Sequence, residues 1–266
     1  MFVTHRAANS VEYLTSNILR SRHAFATRIG GVSTNSHTSS LNLAFNRGDE
    51  RNIVLDNLSL FAEAVGIDPQ SVISLPQIHS ATVLDVDNTM CGLGYYRESD
   101  ISADGYVTSD SGIVLGVKSA DCIPILLEAY NEKEEIIAVS AIHAGWRGTA
   151  AGIAAEGVRK LVNKGANPKR IRAAIGPSID YCCFEVGEDF VATVTEATDG
   201  KWKVFSRDGK LYADVKAQNR AQLLSQGLLD ANIDLCDECT CCMPDKYYSH
   251  RRSKGLRGTM LSVITM

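Results

Sequence analysis

The sequence predicts a mixed α/β fold in a single layered domain, on three observations. Apolar residues recur at helical spacing in three stretches. Short β-branched runs lie between them at irregular intervals. No repeat, low-complexity tract or Pro/Ser-rich linker divides the 266 residues, which include only six prolines. Along the chain, Val54, Leu58, Phe61 and Val65 form the first helical stripe, with Gly66 and then Pro69 as its stop signal. Runs at 71–75, 82–86, 113–117 and 136–142 have the length and composition of buried or half-buried strands. A second helix fits 149–164, where Ile153, Gly157 and Leu161 mark an apolar face, Thr149 is the N-cap and Gly165 the terminator. A strand at 171–175, a helix at 215–228 and a strand at 259–264 complete the pattern, whose spacing is too uneven for a regular doubly wound sheet.

Composition narrows the function. A hydrophobic share of 45% suffices for a sizeable core, and the formal charge of −4 argues against nucleic acid as the main partner. The basic run Arg251-Arg252-Ser253-Lys254 with Arg257 reads as a solvated face. Apolar stretches at 123–127 and 136–142 are far shorter than the roughly 20 residues of a membrane-spanning helix, so no membrane partner is expected. The first residues carry no apolar signal region, which predicts a cytoplasmic protein. Its eight cysteines are then reduced, and need a reading as packing residues, metal ligands or nucleophiles.

Three residues combine into a chemical pattern. His143 closes the apolar run 136–142 and opens His143-Ala144-Gly145-Trp146-Arg147-Gly148, a strand, a tight loop and a helix start. The glycines permit close backbone approach, while Arg147 and the helix N-terminus suit an anion such as phosphate. Cys122 follows the strand at 113–117, next to Asp121, an acid that is costly to bury without a partner. His79, in Pro76-Gln77-Ile78-His79, lies between two strand-like runs. Separately each has a structural explanation. Together, His79, Cys122 and His143 are three widely separated ligands that leave one position open, the pattern of a catalytic rather than a structural zinc.

A longer set of runs is recognisable: Arg28-Ile29-Gly30-Gly31-Val32-Ser33, Leu41-Asn42-Leu43 to Gly48-Asp49, Pro76-Gln77-Ile78-His79, Ala103-Asp104-Gly105, Ala120-Asp121-Cys122, His143 to Gly148, Gly176-Pro177 to Cys182, Glu185-Val186-Gly187, and Ser249 to Arg252. With them the chain resembles, over nearly its whole length, the laccase-domain (polyphenol oxidase-like) family of zinc-dependent purine nucleoside phosphorylases. The resemblance implies mixed sheets flanked by helices, phosphorolysis of adenosine, inosine, guanosine and methylthioadenosine, and deamination of adenosine. Carried over by position, its metal ligands fall on His79, Cys122 and His143. Arg147 and Arg47 are candidate phosphate contacts, and Asn42 a candidate sugar or base contact. Asp121 is a candidate for proton transfer or, preferably, for orienting a liganding histidine. The run Cys236-Asp237-Glu238-Cys239-Thr240-Cys241-Cys242 departs from the family pattern, as does His250.

Other readings remain. Copper can substitute for zinc at such a site, and the polyphenol oxidase name implies copper chemistry, although six histidines are too few for a laccase's full copper complement. Cys122 could be the nucleophile of a thiol hydrolase with His143 or His79 as base. A non-catalytic module braced by zinc would bind nucleosides without consuming them. A monomer or a homodimer is expected.

Overall fold

The computed structural model describes residues 1–198 and 202–266. Three sheets carry the fold. The first has the order β1 (Phe2–Arg6), β2 (Glu12–Ser16), β3 (Arg22–Ala26), β15 (Met260–Thr265), β7 (Val114–Ser119), β4 (Val72–Ile73). The second has the order β14 (Ile233–Leu235), β10 (Ile171–Ile175), β8 (Ile123–Tyr130), β9 (Ile136–Ala144), β6 (Gly105–Thr108), β5 (Val83–Asp85). The third, small and antiparallel, is β11 (Glu185–Val186), β13 (Lys210–Ala213), β12 (Val204–Arg207). Helices α1 (Arg51–Val65), α2 (Trp146–Ala150), α3 (Ile153–Asn163), α4 (Glu188–Thr198), α5 (Val215–Ser225) and α6 (His250–Ser253) lie among them. The two large sheets combine parallel and antiparallel pairs, for example β4 with β7 and β8 with β9.

The period-two alternation of strands builds two cores at once. On β8, Ile125, Leu127 and Ala129 enter one core while Leu126 enters the other. On β9, Ala138, Ile142 and Ala144 face the core shared with α3 and α5, and Val139 and Ala141 face the core shared with β7, β15 and α1. Pro124 sits at the head of β8, where a missing N–H disturbs the ladder least. Glu128, fully buried on the same strand, accepts the backbone N–H groups of Arg20 and Ser21, at 2.7 Å for the latter. That acid is the reason an apolar run at 123–127 gives no hint of the strand's full length.

The first helical stripe is α1, which buries Val54, Leu58, Phe61 and Val65 and ends where Gly66 turns left-handed at φ 74°. The helix predicted at 149–164 is instead two, broken at Gly152, whose φ of 86° no other residue type adopts cheaply. The helix predicted to 228 stops at Ser225. The predicted strand at 71–75 shrinks to β4, because the chain then leaves the sheet to form the loop that carries His79. Among the described residues no helix is long and apolar enough to cross a membrane.

Candidate metal centre

The chain passes from the first large sheet to the second between β7 and β8, and this corner carries Cys122. Asp121 turns it with φ 90°, and His79 has φ 59° in the loop before β5. Left-handed backbone at non-glycine residues costs on the order of 1–3 kcal/mol and concentrates at functional sites. His143 lies one residue from the end of β9, opposite Pro124. The ligand atoms of His79, Cys122 and His143 lie within 4.8 Å of one another, and the two imidazole centroids are 4.9 Å apart. His143 is buried, Cys122 half-buried and His79 exposed.

Asp104, fully buried at the head of β6, assembles the group. Its Oδ1 accepts Nδ1–H of His143 at 2.8 Å and the N–H of His79 at 3.0 Å. Its Oδ2 accepts the N–H groups of Ile78 and Ser80 and the Ser80 hydroxyl, the last at 2.8 Å. One carboxylate thus fixes the loop of one ligand and the ring of another, and leaves Nε2 of His143 as the free metal-binding atom. Burial opposes the charge of Asp104, but the bonds from His143 and Ser80 hold its carboxyl down at about 2. Gln77 adds a second tie, its side-chain amide bonding both the N–H and the C=O of Lys118 at 2.7 Å. The two glycines of the run 143–148 make room for the same loop. A Cβ at Gly145 would lie 2.4 Å from Nδ1 of His79, and one at Gly148 would lie 2.5 Å from the Ser80 carbonyl oxygen.

The sequence reading is corrected at several residues. Asp121 orients no histidine: its oxygens accept the Thr240 and Ser249 hydroxyls and the Arg251 N–H, at 2.6, 3.0 and 2.7 Å. Asn42, fully buried, bonds Ala44, Asp49 and Thr259 with its amide and lies outside the cavity lining. Arg147 is exposed, stacks over Trp146 with 4.2 Å between guanidinium carbon and ring centroid, and also lies outside it. The α2 N-terminus behind it heads a helix of only five residues. Arg47, by contrast, lines the cavity with the three ligands. The basic run is not wholly solvated, since Arg257 reaches the same cavity.

That cavity, of about 560 Å³, has the size of a small-molecule site. His79, Cys122 and His143 form one part of its lining, and Arg47, Lys118 and Arg257 another. Among the described residues none of these three cations forms an ion pair. Lys118 donates to the Ser74 carbonyl oxygen at 3.1 Å, and Arg257 to Thr259 Oγ1 at 2.6 Å. Burial, and then the charge of Arg47, lowers Lys118 to about 8 and Arg257 to about 10. Glu98 and Asp100 also line the cavity, but among the described residues neither pairs with these three cations, whose charges stay available to an anion.

Electrostatics within the ligand set are equally specific. Burial alone would favour a neutral Cys122 thiol, but the charge of His143 and hydrogen bonds from both histidines pull it down to about 6. Burial also disfavours a charged His143, yet the Cys122 thiolate and Asp104 raise it to about 9. Near neutral pH the metal-free pair is thiolate and imidazolium. The His143 contribution to stability is complete below pH 6.5 and lost as pH rises through about 9; that of Cys122 is complete above pH 9.0 and lost as pH falls through about 6. A ligating imidazole must be neutral, so metal binding expels the His143 proton. Metal affinity, measured against a competing chelator, is therefore expected to rise with pH to about 9 and then level off. A flat profile from neutrality upward would contradict the assignment of His143 as a ligand.

Known proteins resemble the chain along most of its length. A protein of Deinococcus radiodurans named purine nucleoside phosphorylase is 36% identical over 242 residues, 91% of this chain and 88% of the relative. A protein from an unknown prokaryotic organism named adenosine deaminase RL5 is 36% identical over 234 residues, 86% of this chain and 88% of the relative. The crystal structure of YlmD from Geobacillus stearothermophilus shares the mixed α/β fold, with a TM-score of 0.85 at 30% identity and 95% of each chain covered. The family described as multi-copper polyphenol oxidoreductase laccase matches residues 22–266, and the chain belongs to that family.

Proposed function

We propose that this chain is a zinc-dependent purine nucleoside phosphorylase acting on adenosine, inosine, guanosine and methylthioadenosine, with adenosine deamination as a second activity. The observation that carries this reading is the single cavity in which His79, Cys122 and His143 adjoin Arg47, Lys118 and Arg257. The donor set fits zinc: one thiolate and two imidazoles, one of them oriented through Nδ1 by a buried carboxylate. When bound there, zinc supplies Lewis acidity and an acidified water. The three cations hold phosphate for attack at the ribose C1′, displacing the purine base and leaving ribose 1-phosphate. Lys118, lowered by burial, regains its full charge beside the phosphate. Relatives named purine nucleoside phosphorylase and adenosine deaminase RL5 support the two activities.

The copper alternative is weaker. His5, His23 and His37 are bonded to Thr15, to Ser16 and Ser21, and to the Arg47 carbonyl oxygen, so they supply no second histidine cluster. Chromatography of inosine, adenosine and guanosine incubated with and without phosphate, alongside metal analysis, tests the proposal. Free base formed only with phosphate supports phosphorolysis, and inosine formed from adenosine without phosphate supports deamination. Phenol oxidation as the sole turnover would overturn both. Arg47→Ala is expected to raise the KM for phosphate about 10- to 100-fold, the scale of one lost charge-assisted hydrogen bond. An unchanged KM would remove Arg47 from the site.

A further inference from the structure

A second group of thiols lies away from the cavity and takes no part in the chemistry above. Cys182 and Cys183 lie between β10 and β11, and Cys239 and Cys242 follow β14. Their four Sγ atoms lie within 4.8 Å of one another. Three of the separations are 3.8 Å (Cys182 to Cys183), 3.6 Å (Cys182 to Cys242) and 3.4 Å (Cys183 to Cys242). A tetrahedron with zinc–sulfur bonds of about 2.3 Å has edges of about 3.8 Å. A disulfide would need about 2.05 Å, and all four cysteines are free.

The surrounding chain is built for such a cluster. Cys239 to Cys242 form a tight Cys-x-x-Cys turn, with the N–H of Cys242 donating to the Cys239 carbonyl oxygen at 3.1 Å. The N–H of Asp180 points at Cys239 Sγ, 3.4 Å away. Guanidinium groups of Arg207, Arg251 and Arg252 bond the carbonyl oxygens of Cys182, Cys183 and Cys241, at 2.8, 3.2 and 2.6 Å. Three fixed cations around a complex that would carry two negative charges offset the cost of assembling it.

We propose that Cys182, Cys183, Cys239 and Cys242 form a second metal site, a structural tetrathiolate for a soft divalent cation of the zinc class. On binding, the four thiols release four protons to solvent, four sulfur–metal bonds form and no electron is transferred. The ion staples together two loops that follow the paired strands β10 and β14 and that otherwise meet mainly through the bridge of Ser178 with Cys239. Thr240, inside the stapled turn, holds Asp121 through its hydroxyl at 2.6 Å, and Asp121 directly precedes Cys122. The second ion thereby positions a ligand of the first without touching substrate.

Metal content decides the matter on intact chains. Wild type is expected to hold about two ions, and His79→Ala and Cys182→Ser/Cys242→Ser about one each. The His79→Ala chain, reconstituted with cobalt, should show the intense visible and charge-transfer bands of a tetrahedral tetrathiolate, and X-ray absorption should find an all-sulfur shell at about 2.3 Å. If the double variant does not fold, the His79→Ala spectrum still decides. A His79→Ala chain without metal, or a cluster recovered two thiols short as a disulfide, would overturn the proposal. Because this readout needs no turnover, it is independent of the proposed phosphorylase activity.

Discussion

His143→Ala is expected to lose metal retention and phosphorolysis together, with turnover reduced by at least about 10²- to 10³-fold. His143 is the most buried of the three ligand residues and the only one whose side chain Asp104 bonds. Its removal leaves the Oδ1 of Asp104 with the N–H of His79 as its remaining donor, at a stability cost of about 1–3 kcal/mol. Metal analysis, thermal unfolding and nucleoside chromatography on one preparation separate the effects. A variant that keeps its zinc and its turnover would refute the site as assigned.

Asp104→Asn has the second-largest expected effect, and it leaves all three metal ligands in the sequence. An amide must place its NH2 either against the His143 and His79 donors or against those of Ile78 and Ser80. In the first orientation His143 relieves the clash by accepting at Nδ1, which puts its proton on Nε2, the atom a metal needs. In the second, three donors at Ser80 and Ile78 lose their acceptor and the loop of His79 is released. Either outcome weakens metal affinity by about 10- to 100-fold. Dialysis against graded chelator measures this, and an affinity within a factor of two of wild type would show that Asp104 does not orient the ligand.

What was legible in the sequence follows from how local each signal is. His79, Cys122 and His143 are uncommon residue types at the ends of apolar runs, so ligand chemistry alone singles them out. The stripe of α1 is legible because its four apolar positions and Gly66 lie within one helix. Asp121 is adjacent to Cys122 in sequence but not to a liganding ring in space, whereas Asp104, distant in sequence, bonds His143. The signals of Asp104 are its place in the run Ala103-Asp104-Gly105 and an acid two residues before the apolar pair Tyr106 and Val107, where burial requires donors. Arg147 and Arg257 exchanged places for a similar reason. One belongs to a motif yet points outward over Trp146, while the other belongs to a charge run yet reaches the cavity. Strands β1 to β3 give no readable pattern because Arg6, Glu12, Arg22 and His23 interrupt the alternation, and pairing with one another and, through β3, with β15 commits them to a sheet.

The unequal burial of the two imidazoles makes the centre asymmetric in time as well as in space. His143 is 4% exposed, inside a sheet and held by a carboxylate, whereas His79 sits exposed on a loop at the cavity wall. A ligand on such a loop can swing away and return while Cys122 and His143 stay in place. All three ligands therefore contribute to affinity, but the exchange rate is set at the loop. Conditions that loosen the His79 loop should speed the replacement of one metal by another far more than they change which metal is preferred at equilibrium.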